Sequence, residues 1–96
     1  MGALLEHDFD WKSGRVTHWD LDKIEDESWL KEDLAMIEFP TGVCLDVGWY
    51  VNAFVIVIAS HDWNDSLFWR RVRDVDDLER ELRGAIKLAH KYAMTP

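Results

Sequence analysis

The chain has 96 residues, a formal net charge of −8, 48% hydrophobic residues and six tryptophans. This makes one domain with one core and excludes a disordered acidic tail. The lone Cys44 excludes an intrachain disulfide, and the longest apolar run, "AFVIVIA", is seven residues, far short of a membrane span.

The charge is unevenly placed. Residues 1–69 hold 14 acids against four Lys/Arg, and residues 70–96 hold five acids against seven Lys/Arg. An acidic N-terminal two-thirds disfavours nucleic acid and anionic membrane and suits a basic protein partner. "MGALLEHDFDW" carries neither a basic n-region nor an apolar h-region, so the cytoplasm is the expected location.

From the N-terminus, "HDFDW-KSG-RVTHWDL" reads as a hairpin turning at Lys12-Ser13-Gly14. "DESWLKEDL" reads as a short helix capped by Asp26 or Ser28 that buries Trp29, Leu30 and Leu34. "MIEFP" and "VCLDVGWYV" read as two strands joined through Pro40-Thr41-Gly42. In the second of these, Val43, Leu45, Val47, Trp49 and Val51 share one greasy face, and Cys44, Asp46, Gly48 and Tyr50 share a mixed one. Gly48 in mid-strand marks a bulge or a close approach.

"AFVIVIAS" is apolar at every position, as a strand covered on both faces would be. "SHDWND" connects it to the next strand, "LFWRRVR". The end of the chain has Val75, Leu78, Leu82, Ala85, Ile86, Ala89 and Ala93 at helical spacing, which predicts a helix over about 75–93 capped by Asp74. Gly84 costs that helix about 1 kcal/mol relative to alanine, and a close approach to the sheet would explain it.

The fold class is therefore α+β: an antiparallel meander of about four strands with the C-terminal helix across one face. The N-terminal hairpin or short helix is expected on the other face or edge. One helix covers one face only, so the doubly apolar strand needs a second cover, from the N-terminal third or from another chain.

Chemistry is harder to find. His7, Asp8, Asp10, His18, Asp20, His61, Asp62 and Asp65 are metal-ligand types, but their spacings match no ligand signature, and Asp and Asn favour turns for their own reasons. Neither a metal site nor a cofactor is expected. Asp46 reads either as a general acid or base or as the partner of an arginine among Arg70, Arg71 and Arg73, the second being simpler. Cys44 lacks a histidine in register and reads as an inert small residue. The "RRVR" run, beside Asp74, Asp76 and Asp77, reads as internal ion pairing rather than as a phosphate patch. No phosphate loop, nucleophile elbow or C-x-x-C pair is present, so the chain does not read as an enzyme.

Trp49 reads as core, and Trp29 and Trp69 fit either core or surface. Trp11, Trp19 and Trp63 lie beside turn residues. They either fold back over the core or, with Asp20, Asp62 and Asp65, form an acidic aromatic surface for a partner.

At "GVCLDVGWYV" followed by "FVIVIA" the chain resembles small bacterial toxin-immunity proteins. The residues concerned are Leu45, Asp46, Gly48 and Trp49, one residue shorter than a Leu-Asp-Asn-Pro-Gly-Trp form, within roughly residues 29–60. The resemblance implies a non-catalytic cytoplasmic protein that binds and neutralises a cognate toxin. The expected function is thus that of an acidic, Trp-rich binding protein, possible partners being a basic protein or, as the alternative, a second copy covering the free sheet face. A small metal-binding or enzymatic protein using the His/Asp loops is the remaining reading.

Overall fold

The computed structural model describes residues 3–60 and 66–94. Five strands, β1 (Arg15–Trp19), β2 (Ala35–Glu38), β3 (Cys44–Tyr50), β4 (Ala53–Ala59) and β5 (Ser66–Val72), precede one helix, α1 (Val75–Met94). They form a single antiparallel sheet in chain order, β1-β2-β3-β4-β5. The α+β meander with a C-terminal helix is as expected, with one strand more.

The period-2 pattern of β3 decides the sheet's orientation. Leu45, Val47 and Trp49 stand opposite Ile58, Ile56 and Phe54 on β4, and Ile37 and Ala35 on β2 continue the same face. On this face Leu45, Val47, Ile56 and Ile58 are fully buried. The helix closes it with Leu78, Leu82, Ala85, Ile86, Ala89 and Ala93. Burying each leucine is worth about 2 kcal/mol, which is what holds a 20-residue helix to the sheet. A side chain caps each helix end. The Asp74 carboxylate accepts the Asp77 amide at 2.8 Å, and Thr41 Oγ1 donates to the Ala93 carbonyl at 3.2 Å.

Gly84 does not face the sheet. It lies exposed, with open space where a Cβ would be, so close packing within the chain does not explain it.

The N-terminal third departs from expectation in two ways. First, residues 7–21 are not a hairpin. Glu6–Asp8 form a single 3-10 turn, the Gly14 amide bonds the Trp11 carbonyl with Lys12 at φ 57°, and only the second arm becomes a strand. A Cβ on Gly14 would come within 2.7 Å of the Phe39 ring, so the turn sits tightly on the sheet. Second, the short helix shrinks to a 3-10 turn over Glu27–Trp29, capped by Asp26 as expected. Beyond it Lys31 and Leu34 bond to Trp49 and Val47 of β3, leaving Glu32 and Asp33 as a bulge. Pairing with β3 outcompetes helix propagation.

Most of this segment packs on the helix side of the sheet, and only the Glu32–Asp33 bulge reaches over the second face, at Gly48. Leu4, Phe9, Leu21 and Ile24 belong to the core cluster beneath α1, the Arg83 guanidinium lies 4.5 Å from the Phe9 ring centre, and Ser13 Oγ and His90 Nδ1 share a 2.7 Å hydrogen bond. The N-terminal arm and the helix thus share one face. Among the described residues no helix or strand packs on the other face, which stays open around Val57 and Trp69 while Val55 and Ala59 on it are buried.

Candidate functional site

Strand register lays the uncovered face out in rows. One row runs His18, Met36, Asp46, Val57, Trp69 across all five strands, each residue opposite the next. A second runs Gly48, Val55, Arg71, and a third runs Arg15, Glu38, Cys44, Ala59, Ser66. At the β5 end stands Trp69, 58% exposed, on an edge strand with no element beyond it. Arg71 beside it gives one guanidinium N–H to the Val51 carbonyl at 2.6 Å.

At the opposite end, over β1–β3, lies an open pocket of about 340 Å³ lined by Thr17, His18, Asp33, Ala35, Met36 and Asp46. Its shape follows from two irregularities. β1 bulges between Val16 and His18, with Thr17 Oγ1 donating to the Met36 carbonyl at 3.2 Å. The Glu32–Asp33 bulge brings the Glu32 carbonyl to 2.1 Å from where a Gly48 Cβ would be, so only glycine fits there. The close approach expected at Gly48 is this backbone.

Asp46 is the chemically unusual group. Partial burial, reinforced by the nearby negative charge of Asp33 and eased by His18, pushes its pKa up to about 6. No arginine reaches it. Arg70 lies on the helix face, 3.8 Å from Glu81, and Arg71 is one row away and bound to Val51. The expected Asp46–arginine pair is therefore not formed. Burial, with Glu38 and Asp46 nearby, pushes the Cys44 thiol up, which suppresses the thiolate. Burial followed by Asp46, Glu32 and Asp33 also raises Tyr50, whose hydroxyl donates to the Glu32 carbonyl at 3.3 Å.

The residues singled out for partner binding are placed differently. Phe9, Trp11 and Trp19 form a ring cluster with centroids 5.3–5.9 Å apart. Both indole N–H groups turn inward, Trp11 to the Glu6 carbonyl at 3.1 Å and Trp19 to the Leu4 carbonyl at 3.0 Å. These two rings fold back over the core. Asp20 is only 13% exposed and is held by Lys31 at 2.9 Å, His18 at 3.1 Å and Lys23 at 3.3 Å. The Lys31 hydrogen bond leads in holding its pKa below the usual carboxylate value. Trp29 lies beside the same two lysines, 4.9 Å from Lys31 and 5.3 Å from Lys23. Asp62, Trp63 and Asp65 lie outside the described residues, as does His61.

Comparison with protein-family models, curated proteins and solved structures gives no match.

Among the described residues, no three His, Cys, Asp or Glu side chains converge in a way that could hold a metal ion. No helix there is long and apolar enough to cross a membrane. Ser13 and His90 form a hydroxyl–imidazole contact, but neither lines the open-face pocket, and the pair ties the 11–14 turn to the helix. From the sequence alone Trp69 fits either core or surface. The available signal was β4: a strand apolar at every position announces a second greasy face, and Trp69 is its outward neighbour on β5.

Proposed function

We propose that this chain is a non-enzymatic binding protein whose working surface is the uncovered face of the sheet. The observation that carries this is Trp69. A tryptophan more than half exposed, level with the partly exposed Val57, leaves an anchor and an apolar neighbour open to water. Glu32, Asp33 and Asp46 make the far side of the face acidic, Glu38 there being paired with Arg15 at 2.9 Å, so the fitting partner brings an aromatic group and a cation. A cytoplasmic bacterial inhibitor that occludes a basic protein, the form of binding implied by the immunity-protein resemblance, is one member of this class. The chemistry of the face supports binding over catalysis: in the pocket the Thr17 hydroxyl is spent on the Met36 carbonyl, and the Cys44 thiol, outside the pocket lining, is suppressed.

Photo-crosslinking in the native host tests the reading. A photoreactive residue at position 57, on the open face, is expected to capture protein reproducibly, and one at position 84, on the exposed side of α1, is not. Equal yields from the two positions, or none from position 57, would remove the open face as the working surface.

A further inference from the structure

Resting on that reading, we propose that the occupant of the open face is a second copy of this chain, packed face to face about a twofold axis. The face carries both halves of a complementary pair. An exposed indole and a guanidinium, Trp69 and Arg71, occupy the β5 end. An open pocket with Asp33 and Asp46 in its wall occupies the β1–β3 end. The partner chemistry that the acidic half asks for is therefore present on the same surface.

The geometry closes on itself. Consider a twofold axis parallel to the strands, between β3 and β4. It lays β5 of one copy over β2 of the other and leaves each row at its own height along the strands. Trp69 and Met36 share a row, so the indole of one copy arrives over Met36 and the adjoining pocket of the other. The pocket's 340 Å³ leaves room for an indole. Arg71 lies one row along, level with Gly48, and Gly48 is the position overlaid by the Glu32–Asp33 bulge. Arg71 of one copy then faces two carboxylates of the other, with four N–H donors left after the one given to Val51. The twofold repeats each contact, giving two anchored tryptophans and two charge clusters around the partly exposed Val57 and Cys44, with Val55 and Ala59 already buried beside them.

Pairing by sheet edges is blunted, which leaves the face. β1 is bulged at its outer strand, and β5 presents Arg70 and Arg71 while Tyr92 donates to the Leu67 carbonyl at 3.1 Å.

Sedimentation velocity on the full chain, from low-micromolar to millimolar concentration, gives the first test. The expected result is a monomer–dimer transition that Trp69→Ala weakens about tenfold or more. The decisive arm uses two charge variants, Arg71→Glu and Asp33→Arg. Each alone sets like charges across the twofold and is expected to stay monomeric. Mixed one to one, they restore opposite charges at both copies of the contact and are expected to form a heterodimer. Recovery on mixing also shows that each variant folds. A wild-type chain that stays monomeric throughout, or variants that stay apart on mixing, would overturn the proposal. The crosslink at position 57 separates the two readings. An adduct of twice the chain's mass supports the second copy. Adducts only to a different protein overturn it while the open-face reading stands, and the absence of any adduct removes both.

Discussion

Asp46 sits mid-strand between Met36 and Val57 with Asp33 close by, so its carboxylate is charged only at a cost. Its pKa of about 6 lies above the value of 3.8 expected for an unstrained aspartate in the unfolded chain. Between those two values the folded protein binds more protons than the unfolded one, so Asp46 makes stability fall as pH rises from about 4 to about 6 and leaves a constant penalty above that. Asp46→Asn removes the penalty. Screening at this partly exposed site leaves a gain of about 1–2 kcal/mol at pH 7.5, shrinking to near zero at pH 4. Urea unfolding of both proteins at several pH values checks this, and a gain independent of pH would assign the effect to something other than titration. The position of Asp46 on a mixed strand face was legible in the sequence, whereas its lack of an arginine was not. Strand alternation sends Arg70 to the helix side, and register puts Arg71 one row off. Neither fact is visible until the strands are aligned.

Among the elements, the β3–β4 hairpin holds a removable strain. It turns on Val51-Asn52, both in the left-handed region at φ 49° and 62°, the geometry of a two-residue I′ turn. Asparagine tolerates that region and a β-branched valine does not; Val51 is also 80% exposed, so no packing compensates for the strain. Val51→Asn with Asn52→Gly is expected to stabilise the fold by about 1 kcal/mol, read as a higher midpoint in urea with an unchanged slope. The neighbouring strand and the terminal helix were readable because one face of each is buried against a single large core, which imposes a clean period of 2 or 3.6. The N-terminal arm was not readable for a related reason. "HDFDW" alternates like a strand, yet Phe9 and Trp11 are placed by partners far along the chain, Arg83 for Phe9 and Trp19 for both. Alternation records which residues are apolar, whereas these contacts depend on where α1 docks.

At the scale of the whole molecule, the sheet has a core on one side only, and the two faces of β4 show the difference. Ile56 and Ile58 are fully buried under the helix; on the other face Val57, between them, stays partly exposed, while Val55 and Ala59 beside it are buried outside the main core cluster. Two substitutions separate the faces. Leu82 is completely buried, and Leu82→Ala is expected to cost about 3 kcal/mol, a large share of what a domain of this size has. Val57→Thr places a hydroxyl at the centre of the open face. A hydroxyl sealed in a core without a partner costs about 1–3 kcal/mol, whereas one that water reaches costs less than about 1 kcal/mol. Urea unfolding at low-micromolar concentration, where association is weakest, is therefore expected to show Leu82→Ala shifted far to lower urea and Val57→Thr nearly superimposed on the wild type. As protein concentration rises, the wild type is expected to gain stability by mass action and Val57→Thr to gain less, because its hydroxyl then becomes buried between two sheets. A large loss for Val57→Thr at low concentration would mean that this face is already packed in the single chain. The apolar continuity of β4 would then be an internal matter and no longer the mark of a surface made for another molecule.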